Sequence, residues 1–165
     1  MKKKNYLLPV LFGVFAVVLV TMIVALCLPH GPQKGDFVPP SFEADAVLGL
    51  PEVDEGLGYQ ELYREGMAYR VALCGAPTVE EKSLTVYFTN AAANEKWLKL
   101  RVLDSSGKTV GETGLLRPGE YVRAVALSRP VTVGEALQLK VMGYEPETYE
   151  SAGAVTLNVT ARPAA

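Results

Sequence analysis

The chain has 165 residues, 49% of them hydrophobic and 21% charged, with a net charge of −2, one histidine and two cysteines. All 18 acidic residues but only 13 of the 16 basic ones lie beyond residue 28, a balance of −5 that excludes the clustered basic face of a nucleic-acid binder. So few histidines and cysteines also leave no Ser/His/Asp set and no cluster of zinc-type ligands.

Residues 1–6 carry Lys2, Lys3 and Lys4, and an uncharged apolar run of 22 residues follows from Leu7 to Leu28. As a helix the run reaches about 33 Å, enough for a hydrocarbon core of about 30 Å. Lysines before it and only Lys34 just after it predict a cytoplasmic N-terminus and an extracytoplasmic remainder, held in the cell membrane by a single pass through its lipid. A cleaved signal is the rival reading. Its apolar part is usually 7–15 residues long and ends in an A-x-A-like site, whereas Val24-Ala25-Leu26-Cys27-Leu28-Pro29 offers none. Leu26 before Cys27 also departs from the small residue of a lipobox, so the sequence favours a permanent signal-anchor.

Residues 29–42 hold Pro29, Pro32, Pro39 and Pro40, with glycines at 31 and 35, and read as an extended stalk. The single histidine, His30, lies in this stalk with no positioned partner for metal or proton chemistry. Residues 43–66 form an acidic lead-in in which seven carboxylates face the lone Arg64. Glu52, Asp54, Glu55, Glu61 and Glu65 are a possible docking strip for a basic partner, and Tyr59–Glu65 reads as a short helix stopped by Gly66.

From residue 67 the period changes to two. Leu84, Val86 and Phe88 alternate with Thr85, Tyr87 and Thr89, and Leu98, Leu100 and Val102 with Lys99 and Arg101. Leu137, Leu139 and Val141 behave likewise, as do Val155, Leu157 and Val159. Each set predicts a strand with one face on a core. Met67–Cys74, Tyr121–Leu127 and Val110–Leu116 are less regular strand candidates, and Cys74 sits among apolar neighbours as a core thiol. Asp104–Gly107 and Arg117–Glu120 are turns between strands. These elements predict an all-β antiparallel sandwich over residues 67–161.

Between the last two strands, Tyr144, Glu145, Glu147, Tyr149 and Glu150 mark a loop at one end of the sandwich. The tyrosines are interface-type anchors and form the leading candidate for partner contact. The loop lacks the Asp-rich spacing of a calcium site, and no metal or other cofactor is implied anywhere. Trp97 opens a strand and reads as half-buried core, while Asn158-Val159-Thr160 matches a glycosylation acceptor but falls inside a predicted strand.

The order Val86-Tyr87-Phe88-Thr89-Asn90, a loop, Trp97–Asp104, Gly107, then Leu115–Tyr121 resembles immunoglobulin-like sandwich modules of membrane-anchored bacterial proteins. In that group a strand ending in Asn, an Asp-x-x-Gly turn and a Pro-Gly turn recur in this order. The resemblance implies a disulfide-free immunoglobulin-like domain serving adhesion, assembly or presentation at the cell surface. It supplies no catalytic residue. The expectation is a non-enzymatic interaction or accessory module of the cell envelope with an unidentified protein partner. The alternative is a carbohydrate-binding or hydrolytic wall module, because a carboxylate pair is set by space and not by sequence.

Overall fold

A computed structural model describes residue 15 and residues 17–22, 37–63 and 65–164. The chain divides into two units, Met1–Val38 and Pro39–Ala165. In the first, residues 17–22 are helical, and the Thr21 hydroxyl donates to the Val17 and Val18 carbonyls at 3.0 and 2.9 Å. Among the described residues no helix is long and apolar enough to cross a membrane. Most of the run 7–28 lies outside the described residues, as do Cys27, His30 and the start of the stalk.

The second unit is all-β. Its strands are β1 (Val47–Leu48), β2 (Tyr59–Leu62), β3 (Val71–Cys74), β4 (Thr78–Glu80), β5 (Ser83–Asn90) and β6 (Trp97–Asp104). There follow β7 (Thr109–Glu112), β8 (Glu120–Ala126), β9 (Ala136–Tyr144), β10 (Ser151–Thr160) and β11 (Arg162–Pro163). One sheet runs β1-β8-β5-β3-β2, with β4 also on β5 and β11 parallel to β4; the other runs β10-β9-β6-β7. All other pairs are antiparallel.

Alternation explains why these segments bury one face. Leu84, Val86 and Phe88 of β5 join Val71 and Leu73 of β3 and Val122 and Val125 of β8. They meet Leu98, Leu100 and Val102 of β6, Leu137, Leu139 and Val141 of β9, and Val155 and Val159 of β10 in one cluster. The product is two sheets over a shared core, the β-sandwich arrangement. Cys74 is fully buried, and burial pushes its thiol up to about 11, so it stays protonated at neutral pH.

Three segments differ from the sequence expectation. Where a helix is expected over Tyr59–Glu65, Tyr59–Leu62 is strand β2, paired antiparallel with β3 from Tyr59↔Cys74 to Leu62↔Val71. The spacing of Tyr59, Leu62 and Tyr63 suits a helix, but backbone pairing with β3 and a 2.8 Å bond from the Tyr59 hydroxyl to Thr89 Oγ1 decide otherwise. The strand expected over Met67–Cys74 begins only at Val71. Val110–Leu116 is cut short at Glu112 because Gly114 lies against the lead-in, where a Cβ would stand 2.5 Å from Glu43 N and 2.6 Å from Phe42 C.

The turns hold as sequence chemistry requires. Asp104 Oδ1 accepts from Ser106 Oγ at 2.6 Å, Ser106 N at 2.9 Å and Lys108 N at 3.0 Å, which holds its carboxyl at about 2. Gly107 adopts φ 82° there, and Gly119, with φ 81°, follows Pro118 in a type II turn.

One buried polar side chain ties the two sheets. Asn90, at the end of β5, is fully buried. Its Nδ2 donates to the Lys96 carbonyl and to the Leu116 carbonyl, both at 2.9 Å, and its Oδ1 accepts from Asn94 Nδ2 at 2.6 Å. Its own carbonyl accepts from Gly119 N at 2.9 Å. Residues 91–96 and 113–119 are the two chain crossings that join β5 to β6 and β7 to β8, so one amide organises both. Replacing Asn90 by Ala removes three hydrogen bonds at once, taking the side-chain donor from the Lys96 carbonyl and one of the two donors from the Leu116 carbonyl. We expect a loss of about 3 kcal/mol in unfolding free energy, read from the urea midpoint at unchanged m. A loss below about 0.5 kcal/mol contradicts this role.

Candidate functional site

The expected recognition loop lies where β9 hands over to β10, at one end of the smaller sheet. Its backbone is closed by Glu145 N to the Glu150 carbonyl at 2.8 Å and Tyr149 N to the Glu145 carbonyl at 3.0 Å. Glu147 and Tyr149 both take left-handed conformations, φ 66° and 57°, a strain that the surrounding bonds must hold. The loop is therefore a built structure.

Its side chains divide into two groups. The Tyr149 ring meets Trp97 edge-on with centroids 5.3 Å apart, and Phe42 meets the same indole at 4.8 Å and 77°. Arg117 caps Phe42, its guanidinium carbon 3.7 Å from the ring centroid. Lys96 Nζ stands 2.6 Å from Glu145 Oε2. Tyr144 is half-buried at the end of β9, with a weak contact from its hydroxyl to Met142 Sδ at 3.9 Å. Tyr149 and Glu145 thus pin the loop to Trp97 and Lys96, whereas Glu147 and Glu150 are exposed.

The acidic strip is spread along the larger sheet. Glu61 lies on β2, 3.6 Å from Arg70, Glu55 is in the one-turn 3-10 helix Glu55–Leu57, and Glu65 is exposed in the following turn. Glu52 and Asp54 enter two neighbouring grooves that share Tyr87 and Arg123. The first has a volume of about 690 Å³ and is lined by Asp45, Leu50, Glu52, Tyr87, Tyr121 and Arg123. The second, of about 440 Å³, adds Asp54, Thr78 and Arg162.

A local irregularity shapes this trough. β5 and β8 shift register between Thr85 and Phe88, and Tyr87 within that bulge takes φ 46°. A bulge re-aims the side chain it carries. Here it leaves the Tyr87 ring half-buried, with the Arg123 guanidinium carbon 5.9 Å from its centroid. Arg123 is exposed, and among the described residues no carboxylate lies within ion-pair distance of it. A trough with two phenol rings, carboxylates and a free guanidinium can stack on the apolar face of a ring and bond polar groups at its edge. Sequence reading missed Tyr87, Tyr121 and Arg123. The available signal was tyrosine at the outward positions of strands that otherwise point Thr or charge to solvent.

Among the described residues no three of His, Cys, Asp and Glu converge on a metal-sized site. No protein-family model, no curated protein and no solved structure matches the chain.

The pinning of the loop has a spectroscopic consequence, since Trp97 is the only tryptophan. Tyr149→Ala is expected to red-shift its emission and to cost about 1 kcal/mol of stability, in the range of edge-to-face ring pairs. Glu147→Gln is expected to change neither. An unshifted emission in Tyr149→Ala contradicts the packing role.

Proposed function

We propose that this chain is a single-pass membrane-anchored protein whose extracytoplasmic domain is an immunoglobulin-like, non-enzymatic interaction or accessory module of the cell envelope. The observation that carries the reading is the uncharged run Leu7–Leu28 behind three lysines, followed by a proline-rich connection to a folded domain. The immunoglobulin-like assignment draws support from the two mostly antiparallel sheets, from the placement of Asn90 and Pro118–Gly119 at joints between them, and from the Asp104–Gly107 turn that joins β6 to β7 within the smaller sheet. Partner contact falls to the exposed carboxylates of the strained loop, Glu147 and Glu150, with Tyr144, Glu145 and Tyr149 supporting them.

The reading has a direct test. The full chain is expected to stay in the membrane pellet after an alkaline carbonate wash, and protease added outside intact cells is expected to digest residues 39–165. Release by carbonate, or full protection from protease, contradicts it.

A second reading, a carbohydrate-binding module, is favoured by one observation: the trough that sets Tyr87 and Tyr121 beside Asp45, Glu52 and Arg123. Sugar rings present C–H faces to aromatic rings and hydroxyls to carboxylates. Titration with cell-wall glycan fragments is expected to shift the NMR signals of the Tyr87 and Tyr121 rings, and Tyr121→Ala is expected to weaken binding at least 10-fold. Spectra unchanged at millimolar glycan remove this reading.

A further inference from the structure

The outermost strands of the two sheets are not alike. β1 has two residues and β2 four, the latter with Glu61 beside Arg70. β7 has four residues, its outer side is already bonded where Ser128 N donates to the Val110 carbonyl at 2.8 Å, and its Glu112 pairs with Lys99 at 3.0 Å and Arg101 at 3.0 Å. Short length and charge are how proteins keep an edge from pairing with another chain. β10 has neither protection. It is the longest strand, ten residues at the edge of the smaller sheet, and Ser151–Thr160 contains no charged residue and no proline. Its one irregularity, the bulge between Ser151 and Ala154 with Gly153 at φ 97°, lies at the start. From Ala154 to Thr160 the ladder with β9 is unbroken. On the opposite side, alternate N–H and C=O groups of those seven residues point outward.

The sequence of that stretch says what fits there. Ala154-Val155-Thr156-Leu157-Asn158-Val159-Thr160 reads nearly the same in both directions about Leu157. Val155 and Val159 face the core at 8% and 6% exposure, and Leu157 between them is only half-buried against it. Ala154, Thr156, Asn158 and Thr160 form the exposed row.

We propose that β10 is the self-association edge of this protein and pairs antiparallel with β10 of a second copy, about a two-fold axis through Leu157. In this register Val155 faces Val159 of the partner subunit, and Leu157 faces Leu157 of the partner subunit. Thr156 faces Asn158 of the partner subunit. Inward residues meet inward residues all along the strand, and β-branched pairs of this kind stabilise a sheet. A slip of one residue would oppose the two faces, and a slip of two leaves two of the seven regular residues unpaired. The two four-stranded sheets become one continuous eight-stranded sheet, and an isologous contact of this sort closes at two copies. An uncharged, near-palindromic strand has no feature that selects a charged or asymmetric partner. It is complementary to itself. This inference stands apart from the anchoring and partner loop proposed above.

The test is sedimentation of the full chain in detergent, at protein concentrations up to about 1 mM, since a contact through one strand pair is small and weak. The native chain is expected to reach twice the mass of one copy. Thr156→Lys/Asn158→Lys sets lysine against lysine across the axis and is expected to halve the mass to that of one copy. Thr156→Lys/Asn158→Glu sets each introduced lysine against an introduced glutamate and is expected to restore the doubled mass. A native chain that stays at one copy overturns the proposal, as does a doubled mass that survives the paired lysines. A charge-swapped variant no more associated than the paired-lysine variant overturns the register. Because both substitutions lie at the same two exposed positions, loss of folding would strike the two variants alike and is read independently by circular dichroism.

Discussion

The fold depends on Asn90. A sandwich needs its chain to leave one sheet and enter the other, and at each crossing the backbone loses its ladder partners while still close to the core. Two such crossings converge here, 91–96 and 113–119: the Lys96 carbonyl takes its bond from a side chain, and the Leu116 carbonyl accepts both from that side chain and from Leu98 N of β6 at 3.0 Å. One buried carboxamide, with two donors and an acceptor, satisfies Lys96 and Leu116 and takes a bond from Asn94. A leucine of similar size would fill the volume but take the donor from the Lys96 carbonyl and leave the Leu116 carbonyl with only its bond from Leu98 N, which costs more than the volume gains. Asn94 then carries the constraint outward, its Oδ1 accepting from Arg70 N at 2.8 Å just before β3.

From that node the remaining geometry follows. With β5 and β6 fixed in opposite sheets, Trp97 emerges where the lead-in returns, and Phe42 packs on it beneath Arg117. Glu43 completes the contact by accepting from Gly114 N at 2.6 Å, which explains why residue 114 has no side chain. The acidic lead-in is thereby part of the domain. It furnishes β1 and β2, both in the larger sheet, and its carboxylates line the trough on that sheet as well as facing solvent. The recognition loop takes its shape from the same indole through Tyr149.

The extent to which all this could be read from sequence differs by element. β5, β6, β9 and β10 were legible because each repeats an apolar residue every second position toward the core, fully buried in the first three and with Leu157 half-buried in β10, and the turn at Asp104–Gly107 because its bonds are local. β2 was not, because its strand character comes from β3, reached through a turn, and local spacing favoured a helix. β8 looked irregular for a physical reason: Val122 and Val125 both face inward three residues apart, opposite the bulge in β5. The loop at 144–150 was legible as a loop, yet the pairing of Tyr149 with Trp97 joins residues far apart in sequence. The trough was illegible for the same reason, since Tyr87 and Arg123 meet only through the β5–β8 register. The Asn90 node was half-visible, as the residue ending a strand before a loop, but its bonds to Lys96 and Leu116 needed the fold.

The central claim is that the Asn90 crossings make the two sheets one cooperative body. Native-state hydrogen exchange tests it most directly. Core amides of β5 and β3 in one sheet and of β6 and β9 in the other are expected to exchange with a single common opening free energy equal to that of global unfolding. Two separate values, one for each sheet, would contradict the account.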